Sequence, residues 1–295
     1  MATLAAAGDT WGISGPQFLG IFALTALGAL VLAVLLRFAL SRGGSSMLGQ
    51  PSPIDVAYLA GGAARAVQTS IARLRAGGAI DAGPGNTLLA TGGYPGGGDE
   101  LTYAVHAALA RRLTLAALPD DPGVGNAVRR LRERLTGSGL LLTAARRRAI
   151  RALSLLLVAV GLLGVARIAA GAANHKPVAV LVLLTILTFL IGLALLVVPP
   201  TTAAGRRVVA GCRRDARHLA PRNRPSWATY GVEGAALGVA LYGTAAFWAA
   251  DPSFAAASGI PAISAGGGSS SGSSCSGGSS CSGGSSCGGG GGCGG

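Results

Sequence analysis

Residues 178–198 read VAVLVLLTILTFLIGLALLVV, an uncharged stretch closed by Pro199 and Pro200. The hydrocarbon core of a bilayer is about 30 Å thick, so a spanning helix needs roughly 20 apolar residues. This stretch has them, and the paired prolines end the helix. Two more stretches reach that length: 18–36, which is uncharged, and 152–172, whose one charge is Arg167. The chain thus predicts a mainly α protein with three transmembrane helices.

The composition agrees. Of 295 residues, 50% are hydrophobic and 12% charged, and the mean hydropathy of +0.54 does not fit an ordinary soluble enzyme. The net charge of +13 comes from 24 basic and 11 acidic residues, and Lys176 is the one lysine. Such an excess suits nucleic acid, anionic lipid or the cytoplasmic loops of a membrane protein. The first stretch has no basic residue before it and no small-x-small site leading into a soluble chain, so it reads as a retained anchor rather than a signal peptide.

The arginines orient the spans. Arg37 and Arg42 follow the first, and Arg146, Arg147, Arg148 and Arg151 precede the second. Arg206, Arg207, Arg213, Arg214, Arg217, Arg222 and Arg224 follow the third. The loop at 173–177 holds only His175 and Lys176. The positive-inside rule then places residues 1–17 and 173–177 outside, and 37–151 and 200 onward in the cytoplasm, in a multi-pass plasma-membrane protein. Arg167, near the outer end of the second span, reads as snorkelling to the headgroups. Residues 200–226 form a basic cytoplasmic segment. The stretch 227–252, apolar from about 234 to 250, is an interfacial helix anchored by Trp227 and Trp248, a short fourth span, or a helix packed on the soluble domain.

After a linker at 37–50, residues 51–148 carry most of the acids and a periodic apolar pattern, enough for a small α+β core. A helix over 54–60 stops at Gly61-Gly62, and another follows over 63–76 with Val67, Ile71 and Leu74 on one face. Ile80 and 88–90 form two short strands around Gly83-Pro84-Gly85-Asn86. Helix, helix, hairpin is the order of a winged-helix module. A shift of 61 residues brings Val67 onto Val128, Leu74 onto Leu135, Gly78 onto Gly139 and Ile80 onto Leu141. This predicts two related winged-helix-like units, about 54–90 and 115–143, with a further helix over 100–118 between them.

Arg129, Arg130, Arg132 and Arg134 of the second unit, with Arg146, Arg147 and Arg148, are the candidate lipid- or phosphate-contacting residues. Beside a bilayer, arginines face the anionic inner leaflet at about 1 kcal/mol each near the surface. The same residues, or Arg65, Arg73 and Arg75, would serve a membrane-tethered DNA-binding regulator, the least favoured reading.

Residues 266–295 contain only Gly, Ser and Cys, with Cys275, Cys281, Cys287 and Cys293 recurring every six residues. Such a tail has no apolar side chain for a core and is expected to be disordered. Its cysteines are candidate ligands of one soft metal ion, although structural zinc sites space their cysteines more tightly. Crosslinking or a passive tail are the alternatives. Cys212 stands apart as a reduced thiol. His106, His175 and His218 have no acid or nucleophile beside them, and the chain has no HExxH, CxxC or phosphate-loop motif. No catalytic residue and no further cofactor is assigned.

Tyr58-Leu59-Ala60-Gly61-Gly62, Arg65-Ala66-Val67, Gly139-Leu140-Leu141-Leu142-Thr143, Gly238 to Gly243, Trp248 to Pro252 and the Cys-bearing tail carry a resemblance. Together they resemble a family of uncharacterised membrane proteins from high-GC, actinobacterial-type bacteria with a cytoplasmic domain and a Gly/Cys-rich C-terminus. The resemblance implies that organisation and no activity. The tail here is richer in serine than that type. The combined expectation is a non-enzymatic plasma-membrane scaffold that docks a protein partner. The alternative is a carrier of a Cys-repeat tail for metal or thiol chemistry.

Overall fold

A computed structural model of the chain describes residues 15–41, 51–94, 96–173, 179–196 and 199–261. It is mainly helical. The order is α1 (Gly15–Ser41), α2 (Pro53–Ala76), β1 (Ile80–Ala82), β2 (Leu88–Ala90), α3 (Glu100–Leu109), α4 (Pro122–Gly137), α5 (Ala144–Ala173), α6 (Ala179–Leu196), α7 (Ala203–Asp215), α8 (Trp227–Tyr242), α9 (Thr244–Ala250) and α10 (Pro252–Ala257).

Two helices are long and apolar enough to cross a membrane, over Leu19–Ala39 in α1 and Ala144–Ala169 in α5. Helix α6 adds the shorter apolar run Val182–Leu196. The core helix of a soluble protein also passes a length test, but only 17% and 28% of these two windows are buried. Of 22 large hydrophobic side chains exposed among the described residues, all but Tyr103 and Tyr230 lie on α1, α5 or α6. An exposed apolar surface that wide is costly in water and ordinary in lipid.

Helices α5 and α6 pack antiparallel through glycines. A Cβ on Gly161 would meet Phe189, one on Gly164 would meet Thr185 and Phe22, and one on Gly192 would meet Val158 and Leu157. Small residues let apolar helices approach closely where lipid offers no hydrophobic drive. Helix α1 joins them through buried Phe22, Ala26 and Ala33. Arg37 donates to the Leu195 carbonyl at 3.1 Å, so the C-terminal ends of α1 and α6 lie together. Arg167 follows Gly161 and Gly164 at helical spacing and is 4% exposed. Its side chain is therefore covered by protein, not laid out along the lipid-facing surface as the snorkelling reading expects.

The helix expected over 54–60 and 63–76 is α2, begun by a capping box between Ser52 and Asp55 with Pro53 in its first turn. Gly62, at φ 72°, breaks it where the sequence places the stop. Strands β1 and β2 pair antiparallel, Ile80 opposite Ala90. The 61-residue repeat appears in the helix ends. At the end of α2, the Gly77, Gly78 and Ala79 amides donate to the Arg73, Arg75 and Leu74 carbonyls. At the end of α4, Ser138, Gly139 and Leu140 donate to Arg134, Thr136 and Leu135, 61 residues on. Gly78 and Gly139 both hold positive φ. The helix expected over 100–118 is shorter: α3 ends at Leu109, and a 3-10 turn, Leu118–Asp120, leads into α4.

The two units differ in how the strand after the glycine is paired. In the first, a short turn returns the chain to β2. In the second, the partner segment arrives only after α5 and α6. Leu142 N–H donates to the Pro200 carbonyl at 2.9 Å, and Thr202 N–H to the Leu140 carbonyl at 3.0 Å. The Thr202 hydroxyl reaches the Gly139 and Leu140 carbonyls and caps α7 by accepting from Gly205 N–H. A Cβ on Gly205 would lie 2.6 Å from the Leu140 carbonyl oxygen, so this crossing admits only glycine. The apolar hairpin α5–α6 therefore lies between the two segments that pair here.

The domain is thus discontinuous, built from 51–142 and 199–261. One core joins Ile54, Ile71, Leu74, Leu101 and Leu135 with Val239, Leu241, Phe247, Phe254 and Ile260. This replaces the contiguous domain expected at 51–148 and the separate basic segment at 200–226. The 227–252 stretch is α8 and α9, and it is apolar because protein covers it. Helix α8 is the main partner of α2, running antiparallel between an Arg73–Glu233 ion pair at 2.5 Å and the contact of Arg65 with Gly243. Buried Ala66, Thr69 and Ser70 on α2, and Ala235, Ala236 and Ala240 on α8, allow the close approach. At 16 and 7 residues, with turns at Gly231 and Gly243, α8 and α9 are too short to cross the roughly 30 Å core. Of the three placements open from the sequence, packing on the domain is the one adopted.

Candidate functional site

The predicted basic residues divide by what they touch. Arg130 pairs with Glu100 and Arg134 with Asp55, which fasten α4 to α3 and to the start of α2. Arg129 donates to the Asn126 side chain at 3.0 Å. Arg130 and Arg134 thus tie helices together, while Arg129 is held within α4. Arg132 and Arg147 do something else. Both sit near the half-buried Tyr58 phenol, whose pKa burial raises while the two guanidiniums pull it back down. Among the described residues neither forms an ion pair, and the Arg147 Nε is buried without a hydrogen-bond partner. Arg146 and Arg148 flank it, exposed, in the first turns of α5 where the apolar run begins. The structure brings together Arg132, Arg147 and Tyr58 from three helices, beside the start of the apolar α5–α6 hairpin.

Of the arginines that would read DNA from the first unit, Arg73 and Arg75 are engaged. Arg73 holds Glu233, and Arg75 holds Asp81 at 2.8 Å and Asp251 at 3.0 Å while its guanidinium covers the Phe254 ring. Asp251 also caps α10 through Phe254 N–H. Burial alone would raise its pKa, but that cap, Ser253 and Arg75 hold it below the ordinary aspartate value. At the head of α4, Asp121 is treated alike: the Val124 and Gly123 amides and Arg111 outweigh its burial and lower its pKa.

Two of the clefts on the domain bear on function. One, of about 310 Å³, lies between α2, α8 and α9, walled by Ala72, Trp227, Val232 and Phe247 with the Arg75–Asp251 pair at its rim. Its size is at the lower end for a ligand pocket, and its walls suit an apolar group. The second, of about 620 Å³, is lined by Arg213, Arg214, Arg217 and Arg222 with Tyr242. The sequence reading used these four only to orient the spans. Their signal was present in the spacing, since 213 and 217 fall one helical turn apart. Their convergence with Arg222 and Tyr242 depends on two 3-10 turns, Arg217–Leu219 and Pro221–Asn223, which carry no strong local pattern.

The histidines make structural contacts. His106 Nε2 lies 3.1 Å from the Gly92 carbonyl and its ring beside Tyr94. The His218 ring packs on Tyr230 at 4.9 Å. Burial and nearby Asp215 raise the Cys212 pKa, which makes the thiol a poor nucleophile. His175 and the tail cysteines Cys275, Cys281, Cys287 and Cys293 lie outside the described residues. Among the described residues no three potential metal ligands gather.

Comparison with protein-family models, curated proteins and solved structures finds no match to this chain. The functional reading therefore rests on the site's own residues.

Proposed function

We propose that this is a non-enzymatic, three-span protein of the plasma membrane that holds a discontinuous, winged-helix-like binding domain against the cytoplasmic leaflet. The single observation that carries this reading is the shared core of 51–142 and 199–261. Two stretches that pack into one core must lie on one side of the membrane, so α5 and α6 cross and return as a pair. Arg37, Arg146, Arg147, Arg148, Arg151, Arg206 and Arg207 all fall where the chain leaves or re-enters that side, which the positive-inside rule makes the cytoplasm. The 61-residue recurrence of a glycine-capped helix end supports two related units, the second carrying the membrane hairpin in its wing position.

The clamp between Leu140–Leu142 and Pro200–Thr202 fixes both stems of the hairpin to the domain, so the domain cannot swing freely from its anchor. Arg132 and Arg147 then face the headgroup region as the lipid-contacting pair. The apolar cleft beside Trp227 is the place for a partner side chain. The resemblance to membrane proteins of high-GC bacteria belongs with this reading.

Topology gives the test. With Cys212 replaced by Ser, a membrane-impermeant maleimide should label Cys275 to Cys293 only after lysis, because the chain reaches the tail from the cytoplasmic domain without another crossing. Labelling of intact cells would place α8 and α9 across the membrane and end the account.

A further inference from the structure

We propose that the cleft formed by Arg213, Arg214, Arg217 and Arg222 is a binding site for a phosphate-bearing anion, distinct from the membrane-entry arginines. The first argument is charge balance. On the domain, Arg73, Arg75, Arg111, Arg130 and Arg134 each meet a carboxylate, while others such as Arg129 and Arg132 form no ion pair among the described residues. The four cleft arginines meet none among the described residues, although they line one concave surface of about 620 Å³. Like charges gathered without a counter-charge repel, and the arrangement is relieved by an anion from outside. Asp215 does not line the cleft.

The second argument is preorganisation. Arg213 donates to the Leu241 carbonyl at 3.0 Å, which anchors one edge of its guanidinium. The Asn223 side chain donates to the Arg217 carbonyl at 2.8 Å and ties together the two turns that carry Arg217 and Arg222. Tyr242, on the cleft wall, is held by its hydroxyl to the Ala216 carbonyl at 3.3 Å. A fifth cation, the half-buried Arg65, is close enough that burial and Arg213 together lower its pKa.

The third argument is position. The positive-inside rule counts basic residues within roughly 15–20 residues of a span. Arg206 and Arg207 meet it. Arg217 and Arg222 lie farther from Leu196, folded into a cleft instead of strung along a loop. Guanidiniums match the oxygens of an oxyanion with two parallel hydrogen bonds, which favours it over chloride, and several guanidiniums together suit the multiple charges and oxygens of phosphate. Four of them suit a diphosphate group or two neighbouring phosphates. The source is either a free soluble anion or an anionic phospholipid headgroup.

The full chain in phosphatidylcholine nanodiscs, titrated with inorganic pyrophosphate at fixed ionic strength, tests this. Wild type should bind saturably. Arg217→Gln and Arg222→Gln should each weaken binding at least about tenfold, the factor that roughly 1.4 kcal/mol corresponds to. Arg130→Gln, which removes the same charge from a paired site, should leave it within about twofold. Melting temperatures of all variants, compared with wild type, confirm that they fold. Repeating the titration with phosphatidylglycerol separates the sources. Loss of pyrophosphate binding there shows that headgroups fill the cleft, and unchanged binding shows that a soluble anion does. Absence of saturable binding in phosphatidylcholine, or equal weakening by Arg130→Gln, overturns the proposal.

Discussion

Residues 51–148 expressed alone should yield no folded domain. The stretch looks complete in sequence, with its own acids, caps and apolar faces. Yet α2 has α8 as its principal neighbour, and a chain ending at Arg148 lacks that helix. The truncation removes Val239, Leu241, Phe247, Phe254 and Ile260, all 3% exposed or less. Fully burying such a side chain contributes about 1.5–3 kcal/mol, so the five account for roughly 10 kcal/mol. Domains of this size are stable by about 5–15 kcal/mol in total. Removing that much core should leave an aggregating or molten chain with no cooperative melting transition, as circular dichroism would report. A sharp transition from the isolated 51–148 fragment would show that α8 to α10 are accessories.

Phe247→Ala in the full chain should cost about 3–5 kcal/mol of domain stability. Phe247 is buried on α9 and stacks on Phe254 with ring centroids 5.9 Å apart. Its removal leaves a cavity under α10 that the short helices around it cannot close. The prediction separates a core helix from a membrane helix. If 234–250 faced lipid, the same truncation would leave the unfolding of the cytoplasmic domain nearly unchanged. Leu187→Ala, on the exposed surface of α6, is the matched control and should shift that transition by less than about 0.5 kcal/mol. The readout is urea unfolding of detergent-solubilised protein followed by Trp227 and Trp248 fluorescence, since both tryptophans pack on the core.

Local signals made much of this fold legible. Ser52-Pro53-x-Asp55 begins α2, Gly62 breaks it, and Gly78 and Gly139 close two helices at a constant offset. The apolar runs of α1, α5 and α6 follow from composition alone. What local reading missed is non-local. Nothing in Leu140–Leu142 or Pro200–Thr202 announces that they pair across the intervening hairpin, because each is a short apolar or turn-like piece. For the same reason 227–252 was ambiguous: an Ala/Gly-rich apolar helix has the same composition whether lipid or α2 covers it. Among the site residues, Arg130 and Arg134 look in sequence like a free basic face, and only the approach of Glu100 and Asp55 shows them paired. Arg167 illustrates the converse. Its depth along the span was readable, but which way the side chain turns depends on Gly161 and Gly164 packing against α6.

The most direct measurement replaces residues 143–198 with a short Gly-Ser turn in a chain that begins at Pro51 and ends at Pro261. Leu142 and Pro200 are already hydrogen-bonded neighbours, so the excision asks nothing new of the backbone. The account predicts a water-soluble monomer that unfolds in urea in one cooperative transition, with 51–142 and 199–261 losing structure together. Aggregation, or two separate transitions, would contradict the claim that both stretches build one domain on one side of the membrane.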